Sequence, residues 1–245
     1  MVIIDSETQF LNGPSSRGHE LKQLVKVGLQ MLKGFRKLHF IGPCITVFGS
    51  ARFDENHSYY HKARIVGQRI AKMGFTTMTG GGPGIMEAAN RGAKESGGYS
   101  VGCTIELPKE QGGNPYMDES VHFDFFFLRK LLMLKYSYAF IVMPGGFGTL
   151  DELFETVTLI QTKVLKSFPI VVMGKEYYKT ITEMIEKMNN EETISEIDME
   201  LVLFTDSVDD AMQHIRKFVL ENYLIEQKIK SPFWWLGERN KQKKL

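Results

Sequence analysis

Hydrophobic positions along the chain alternate between short continuous apolar runs and longer amphipathic stretches. ITVFGS (45–50) and YAFIVMP (138–144) are typical of the first kind, whereas SYYHKARIVGQRIAKMG (58–74) has helical spacing and closes at Gly74. Continuous apolar strands indicate a sheet that is covered on both faces. The regular alternation of strands and helices predicts parallel strands joined by helical crossovers, that is, a single-domain Rossmann-like α/β fold with a doubly wound parallel sheet and flanking helices.

The same pattern predicts where the elements and the domain begin and end. Strands are predicted at 45–50, 75–81, 99–107, 138–144, 168–174 and 201–206, and helices at 18–38, 58–74, 85–98, 128–137, 149–164, 176–188 and 209–224. PKEQGGNPYMDES (108–120) is predicted to be a polar loop. We divide the chain into an N-terminal extension with a helix (1–40), the α/β domain (41–224) and an aromatic, basic tail (225–245). The tail is expected to pack against a neighbouring subunit or the surface of its own domain.

Composition limits the class of protein but does not identify its function. Hydrophobic residues make up 43% of the chain and charged residues 24%, as in an ordinary globular protein, and the net charge of +1 predicts no binding to nucleic acid or membrane. Cys44 and Cys103 stand inside apolar runs, which predicts buried thiols in a reducing cytoplasm, and no zinc-type spacing exists. The first residues lack the basic region and apolar core of a signal peptide. We therefore expect a cytoplasmic protein without metal or cofactor.

Ligands of open parallel sheets bind beyond the carboxyl ends of the strands, so the loops there are candidate sites. In FGSAR (48–52), Ser50 and Arg52 can donate hydrogen bonds to an oxyanion, although a plain turn with a surface arginine is an equal alternative. In TGGGPGIMEAAN (79–90), three glycines allow a ligand to approach the backbone at the start of a helix, where the dipole favours an anion. A purely structural glycine loop is the alternative. The three glycines are Gly80, Gly81 and Gly82.

The polar loop and the stretch VMPGGFGTLDELFET (142–156) supply two further candidates. In the first, Glu110, Gln111 and Asn114 can contact a ligand, and a solvated loop is the alternative. In the second, Gly145, Gly146 and Gly148 free the backbone for a phosphate, and Thr149 can cap the helix that follows. This loop is neither a P-loop, since the GK[ST] ending is missing, nor a dinucleotide fingerprint.

Charged residues flank this glycine loop on both sides. Asp151 and Glu152 are predicted in the first helical turn, one facing solvent and the other the cleft, because neighbours on a helix are about 100° apart. A favourable dipole interaction alone explains either acid but not the pair. Arg129 and Lys130, in FFFLRKLLMLKYS, are expected to reach the same cleft and bind phosphate. The alternative is the polar edge of an amphipathic helix.

Together, TGGGPGIMEAANRGA, the FLRK pair and PGGFGTLDE resemble the LOG (Lonely Guy) family, often described as lysine decarboxylase-like. The signature P-G-G-x-G-T-x-x-E is complete, from Pro144 to Glu152, and the resemblance covers roughly residues 40 to 220. It implies a Rossmann-like homodimer that hydrolyses the N-glycosidic bond of a nucleoside 5′-monophosphate to a free base and ribose 5-phosphate. A decarboxylase is not supported, because no lysine stands in a recognisable context for a pyridoxal phosphate anchor.

The resemblance also implies roles for individual residues. Arg129 and Glu152 are the expected catalytic residues, and the loop from Gly145 to Thr149 is expected to hold the phosphate. The helix dipole and the cations at Arg129 and Lys130 predict that Glu152 is ionised, and that it stabilises positive charge on the sugar or activates water. The full set of expected substrate-binding residues is Ser50, Arg52, Gly80, Gly81, Gly82, Met86, Lys130, Gly145, Gly146, Phe147, Gly148, Thr149 and Thr158.

Two departures from the family pattern leave the substrate and the function open. The long 108–120 loop affects which base fits, so cytokinin activation is a narrower expectation than hydrolysis of a general nucleotide such as AMP. The N-terminal helix and the aromatic tail affect assembly. The alternatives to an enzyme are a carrier of molybdenum cofactor on the same fold and a nucleotide sensor that acts through the FWW tail.

Overall fold

The computed structural model of this chain describes residues 6–105, 113–165 and 168–222. The strands are β1 Cys44–Phe48, β2 Thr76–Thr79, β3 Ser100–Ile105, β4 Glu119–Phe123, β5 Ser137–Val142, β6 Ile170–Met173 and β7 Val202–Thr205. The helices are α1 Ser6–Leu11, α2 Arg17–Leu38, α3 Ser58–Lys72, α4 Ile85–Glu95, α5 Phe126–Tyr136, α6 Phe147–Gln161, α7 Lys179–Asn190 and α8 Val208–Asn222, and a 3₁₀ helix spans Glu196–Leu201.

The seven strands form one sheet in the order β4-β3-β2-β1-β5-β6-β7, and every neighbouring pair is parallel. The chain therefore winds outward from β1 in one direction, returns to β5 and winds outward in the other. This confirms the predicted doubly wound α/β fold. The crevice where the winding direction changes lies between β1 and β5, which is the place where such sheets bind ligands.

Two apolar cores lie on opposite faces of the sheet, because successive side chains of a strand point to opposite faces. On one face, strand side chains such as Phe140 pack with α2, α5, α6 and α7, and on the other, strand side chains such as Ile141 pack with α3, α4 and α8. Strands β1, β5 and β6 are buried along nearly their whole length, as their continuous apolar sequences predicted. Cys44 and Cys103 are both buried, as predicted.

Helix α2, predicted at 18–38, is present and belongs to the same folded unit. Ser16 caps it, Leu38 is fully buried, and Val27, Met31 and Phe35 pack against the first core. Lys37 forms an ion pair of 2.8 Å with Glu119 of β4. The N-terminal extension thus covers the β4 edge of the sheet.

Three elements were not predicted. Part of β4 was assigned to the 108–120 loop, because its sequence, ESVHF, mixes polar and apolar residues as expected of an edge strand that is only half buried. Helix α1 and the 3₁₀ helix Glu196–Leu201 are short and polar, so neither has a strong periodic signal. Within the described residues, none of the helices combines the length and the hydrophobicity that a bilayer-spanning segment requires.

Candidate functional site

Three loops at the carboxyl edge of the sheet are joined by backbone hydrogen bonds. Met143 N donates to Phe48 O over 2.8 Å, and Ser50 N donates to Pro144 O over 3.0 Å. Ser50 O in turn accepts from Ile85 N over 3.0 Å. The loops that follow β1, β2 and β5 are therefore held in fixed positions around the crevice between β1 and β5.

Two helices begin at this edge without a capping side chain. Gly84 is the N-cap of α4 and Gly146 is the N-cap of α6, and neither can supply a side-chain acceptor. The first N–H groups of a helix have no partner within the helix, and the helix dipole adds partial positive charge there. Two such termini, linked through Ser50, form a site suited to an anion such as phosphate.

The glycines of the two loops are glycine for different reasons. A Cβ at Gly145 would overlap the Thr149 side chain and lie 3.0 Å from Ser50 N, so the fold itself excludes a larger residue. Gly81 has a φ of +75°, and its Cβ would lie 2.6 Å from Thr104 Cγ2. Gly146 and Gly148, by contrast, are exposed, and no atom of the described chain lies within 4 Å of an added Cβ. The absence of side chains there leaves room for a ligand.

A buried polar network, which the sequence did not reveal, fixes the loop after β2. Asn90, which is fully buried, accepts hydrogen bonds from Thr79 Oγ1 (2.6 Å) and Asn114 Nδ2 (3.0 Å) and donates to Ser100 Oγ (2.7 Å). Thr79 Oγ1 also accepts from Gly81 N, and Asn114 N donates to Gly81 O over 2.9 Å. These residues hold the backbone of the glycine loop in place. Their signal in the sequence was a polar residue in an otherwise apolar helix face.

Asn114 was considered as a ligand contact or as part of a solvated loop, and its position fits neither interpretation. It is only 8% exposed, and its amide also donates to Gly82 O over 3.1 Å. It is a structural residue of the glycine loop. Glu110 and Gln111, the other two candidates in this stretch, lie outside the described residues.

Helix α6 begins two residues earlier than predicted, at Phe147 rather than Thr149. Gly146 serves as the N-cap, so Thr149 is the third helical residue, buried against Gly145, and does not cap the helix. Asp151 and Glu152 consequently lie in the second turn and not the first. The predicted dipole stabilisation of Glu152 therefore loses its basis, since the effect declines beyond the first turn.

Glu152 is the buried member of the acidic pair. Its side chain is 5% exposed, whereas Asp151 faces solvent, as predicted. Within the described part of the chain, no group donates a hydrogen bond to its carboxylate. Burial raises the pKa of Glu152 to about 7, and the positive charges of Arg129 and Lys130 oppose this increase only in part. The prediction that Glu152 is held firmly ionised is wrong, because the cost of desolvation exceeds the attraction of the two cations.

Arg129 lies beside the glycine loop that follows β2. Its guanidinium stacks 5.0 Å from the ring centre of Phe126, and a Cβ at Gly80 would lie 3.8 Å from its Nη1. Its charge also lowers the pKa of Glu152. Helix α5 thus positions a cation between the loop after β2 and the buried carboxylate.

Lys130 occupies a different environment from its neighbour. Its Nζ forms ion pairs with Asp151 Oδ2 (2.9 Å) and Glu155 Oε2 (2.8 Å), and its side chain is 14% exposed. These two carboxylates contribute to a raised pKa for the ammonium. Because adjacent helical residues point about 100° apart, Arg129 and Lys130 do not act as one cationic pair. Lys130 was expected to bind phosphate, but in the structure it is paired with two carboxylates of α6.

The remaining predicted residues fall into two groups. Ser50 and Met86 line the joined loops, with Met86 Sδ 2.8 Å from a Cβ placed at Gly80, and Arg52 is exposed next to Ser50. Phe147 is 92% exposed, and Thr158 lies on the outer face of α6 three turns from the loop. Both border a shallow groove of about 620 Å³ that also contacts Lys130.

The fold and this edge define a class: a Rossmann-like α/β protein with two uncapped helix N-termini next to a buried carboxylate and an arginine. The family model described as "Possible lysine decarboxylase" matches residues 86–215. The chain therefore belongs to that family, the LOG family, as the signature from Pro144 to Glu152 indicated.

Curated relatives and solved structures agree with this assignment. A cytokinin riboside 5′-monophosphate phosphoribohydrolase of Arabidopsis thaliana is 28% identical over 80% of this chain and 90% of the relative. A protein of the same name from Mycobacterium marinum is 30% identical over 62% of this chain and 82% of the relative. The molybdenum cofactor carrier protein of Chlamydomonas reinhardtii has a TM-score of 0.53 at 25% identity, covering 74% of this chain and 99% of that one.

Proposed function

We propose that the protein hydrolyses the N-glycosidic bond of a nucleoside 5′-monophosphate and releases a free base and ribose 5-phosphate. The observation that carries the proposal is the juxtaposition of two uncapped helix N-termini, α4 and α6, with the buried Glu152. A phosphate fits the first feature, and a reaction that develops positive charge on a sugar fits the second. The two relatives are named as phosphoribohydrolases, which supports the same reaction.

In this proposal the phosphate serves as an anchor. The backbone N–H groups at Gly146, Phe147 and Gly148 bind it, together with the N-terminus of α4. Binding energy from this non-reacting group then positions the ribose beside Glu152. Because the loops are joined by hydrogen bonds through Ser50, the anchor and the reacting centre keep a constant separation.

Glu152 acts on the sugar and on water. As the bond from C1′ to the base nitrogen breaks, its electron pair leaves with the base, and the ionised carboxylate stabilises the positive charge that develops on the ribose. A water molecule forms the new bond to C1′, and Glu152 accepts one of its protons and later returns it to the departing base or to solvent. A pKa of about 7 suits this role, since a general base works best near the ambient pH.

The charge of Arg129 lowers the pKa of Glu152 toward neutrality. The position of Arg129 beside Gly80 also allows it to contact an anionic substrate. Without the guanidinium, the buried carboxyl group would hold its proton to a higher pH and would be a weaker base under ordinary conditions.

A carrier of molybdenum cofactor is the second candidate, favoured by the likeness of the fold to the Chlamydomonas carrier. A carrier needs the anion site but has no need of a buried carboxylate with a raised pKa. Such a carboxylate carries a cost in stability, which argues for a chemical role.

Product analysis separates the two functions. Purified protein is incubated with AMP, GMP, CMP, UMP, IMP and a cytokinin riboside 5′-monophosphate, and the products are resolved by chromatography. We expect free base and ribose 5-phosphate in equal amounts from the wild type, and a loss of at least about 100-fold in the Glu152→Gln variant. An Asp151→Asn variant, altered at the exposed neighbour, serves as the matched control. A folded protein that binds a pterin phosphate and releases no base from any of these nucleotides would support the carrier and contradict the hydrolase.

A further inference from the structure

Two neighbouring tyrosines lie against the glycine loop that follows β5. Tyr177 Oη donates a hydrogen bond to Gly145 O over 2.9 Å, and Tyr178 Oη donates to Met143 O over 2.8 Å. The two rings pack edge to face, with 4.9 Å between their centres. Tyr178 is buried in the first core, whereas 47% of Tyr177 is exposed. The loop after β6 therefore supports the glycine loop from one side.

The hydrogen bond from Tyr177 fixes the direction of a peptide group. Gly145 O accepts from the phenol, and the preceding carbonyl, Pro144 O, accepts from Ser50 N over 3.0 Å. A peptide group is planar and almost always trans, so its N–H points opposite to its C=O. The N–H of Gly146 is thus directed away from Tyr177. Within the described residues this N–H has no hydrogen-bond acceptor, which leaves it available to a ligand.

The peptide between Gly145 and Gly146 has little intrinsic preference for this orientation. A rotation of the peptide by about 180° would change φ of Gly146 from −91° to about +90°, which glycine adopts readily and other residues rarely do. In the flipped orientation the carbonyl oxygen of Gly145 would replace the N–H of Gly146 and would repel a phosphate. The hydroxyl of Tyr177 stabilises the orientation that suits an anion.

Tyr177 is itself held in place by neighbouring loops. Its ring contacts that of Tyr59 edge to face, with 6.4 Å between the centres. Gly174, at the start of the same loop, has a φ of +103°, and a Cβ there would lie 2.9 Å from Pro144 Cγ. Asp206, which follows β7, accepts a backbone hydrogen bond from the Tyr177 loop over 3.1 Å. The loop after β6 is therefore a firm support that lies directly against the loop after β5.

We infer that Tyr177 is a positioning residue of the anion site, which holds the Gly145–Gly146 peptide with its N–H toward the phosphate of the ligand. The inference rests on the proposed phosphate anchor at the N-terminus of α6, and it holds whether or not the bound compound is then hydrolysed. A tyrosine hydroxyl has one proton, and Tyr177 donates it to Gly145 O. Tyr177 therefore acts on the phosphate through the peptide and not by donating to it directly.

Tyr178 provides a matched control in the same loop. Tyr178→Phe removes a hydroxyl from the same kind of contact, but the carbonyl that it holds, Met143 O, is followed by Pro144, which has no N–H to direct. Phenylalanine at either position keeps the aromatic ring. The two variants therefore separate the orientation of a ligand-binding N–H from a general weakening of the loop.

Isothermal titration calorimetry with ribose 5-phosphate tests the inference without requiring turnover. We expect the Kd to increase roughly 3- to 10-fold in Tyr177→Phe, the effect of one lost hydrogen bond, and by less than about twofold in Tyr178→Phe. Tyr178→Phe leaves a buried carbonyl without its partner and should show the larger decrease in Tm.

Three results of this titration would overturn the inference. Binding by Tyr177→Phe within about twofold of the wild type, or equal weakening by the two variants, would show that the phenol does not position the anion site. A wild type that does not bind ribose 5-phosphate would overturn the phosphate anchor as well. Nucleotide cleavage is assayed separately, so the proposed hydrolase can fail while Tyr177→Phe still shows the expected loss of affinity.

A double-variant cycle with Gly146→Ala tests the role of the peptide orientation. Alanine at position 146 disfavours the positive φ of the flipped peptide, so the observed orientation no longer depends on the tyrosine. In the Gly146→Ala background, Tyr177→Phe should therefore change the Kd for ribose 5-phosphate by less than about twofold, whatever the affinity of Gly146→Ala itself. A loss of roughly 3- to 10-fold in both backgrounds would show that Tyr177 does not act through this peptide.

Discussion

Replacing Glu152 with glutamine should stabilise the protein at alkaline pH while it removes activity. The folded protein raises the pKa of this carboxyl group from 4.5 to about 7, because burial disfavours the charged form. Between these two pH values the folded state retains a proton that the unfolded chain has already released, so wild-type stability falls as the pH rises through this window. Glutamine resembles the protonated form at every pH and avoids this loss.

The magnitude follows from the two pKa values. At roughly 1.4 kcal/mol for each pH unit between 4.5 and about 7, the ionised carboxylate costs about 3 kcal/mol. The free energy of unfolding of Glu152→Gln should thus exceed that of the wild type by about 3 kcal/mol at pH 8.5 and by close to zero at pH 4. For a domain of this size the alkaline difference corresponds to an increase in Tm of roughly 6–12 °C.

Urea unfolding followed by circular dichroism between pH 4 and pH 9 provides the measurement. Asp151→Asn removes an exposed partner of Lys130 and should change the free energy of unfolding by less than about 1 kcal/mol. A difference between wild type and Glu152→Gln that does not depend on pH, or a variant that is less stable at pH 8.5, would refute the reasoning. Either result would mean that Glu152 is well solvated or firmly paired.

Three further predictions concern the same edge of the sheet. The kcat/KM of the wild type should rise with pH through an apparent pKa of about 7. In Arg129→Gln this rise should occur at higher pH, because the guanidinium lowers the pKa of Glu152. An unchanged pH dependence would mean that Arg129 does not affect the ionisation of Glu152. Gly145→Ala should lower the free energy of unfolding by about 1–3 kcal/mol, since its Cβ overlaps Thr149. Gly146→Ala, with open space around the added Cβ, should be nearly neutral for stability and should lower kcat/KM. Asn90→Ala should cost about 2–4 kcal/mol in chemical unfolding, because Thr79, Ser100 and Asn114 lose a buried partner; a cost below about 1 kcal/mol would mean that water replaces the amide.

Much of the fold could be predicted because its determinants are local. The continuous apolar strands and the glycine stops of the helices gave the parallel architecture, and the helical periodicity of 18–38 gave α2. Strand β4 could not be predicted with the same means. Its edge position makes its sequence half polar, and only the pairing with β3 shows that it is a strand.

The site was predictable in its residue types and less so in their environments. Spacing alone indicated that one of Asp151 and Glu152 faces inward, but the ionisation of Glu152 depends on how completely α6 buries it, which is a tertiary property. Likewise, the sequence places Arg129 and Lys130 side by side, whereas the two carboxylates that bind Lys130 come from another helix. The polar Asn90 stands out in its helix, but its partners lie up to 24 positions away in the sequence, so the network itself has no local pattern.

The measurement that tests the central claim most directly compares a nucleotide with its own nucleoside. Release of free base is followed by chromatography for the nucleoside 5′-monophosphate that the wild type cleaves fastest and for the same compound without its phosphate. If the helix N-termini at Gly84 and Gly146 anchor the phosphate and Glu152 acts on the sugar, kcat/KM should fall by roughly 100-fold or more for the nucleoside. Glu152→Gln should lose at least about 100-fold on both compounds. Equal cleavage of nucleotide and nucleoside, or release of base by Glu152→Gln at close to the wild-type rate, would contradict the account.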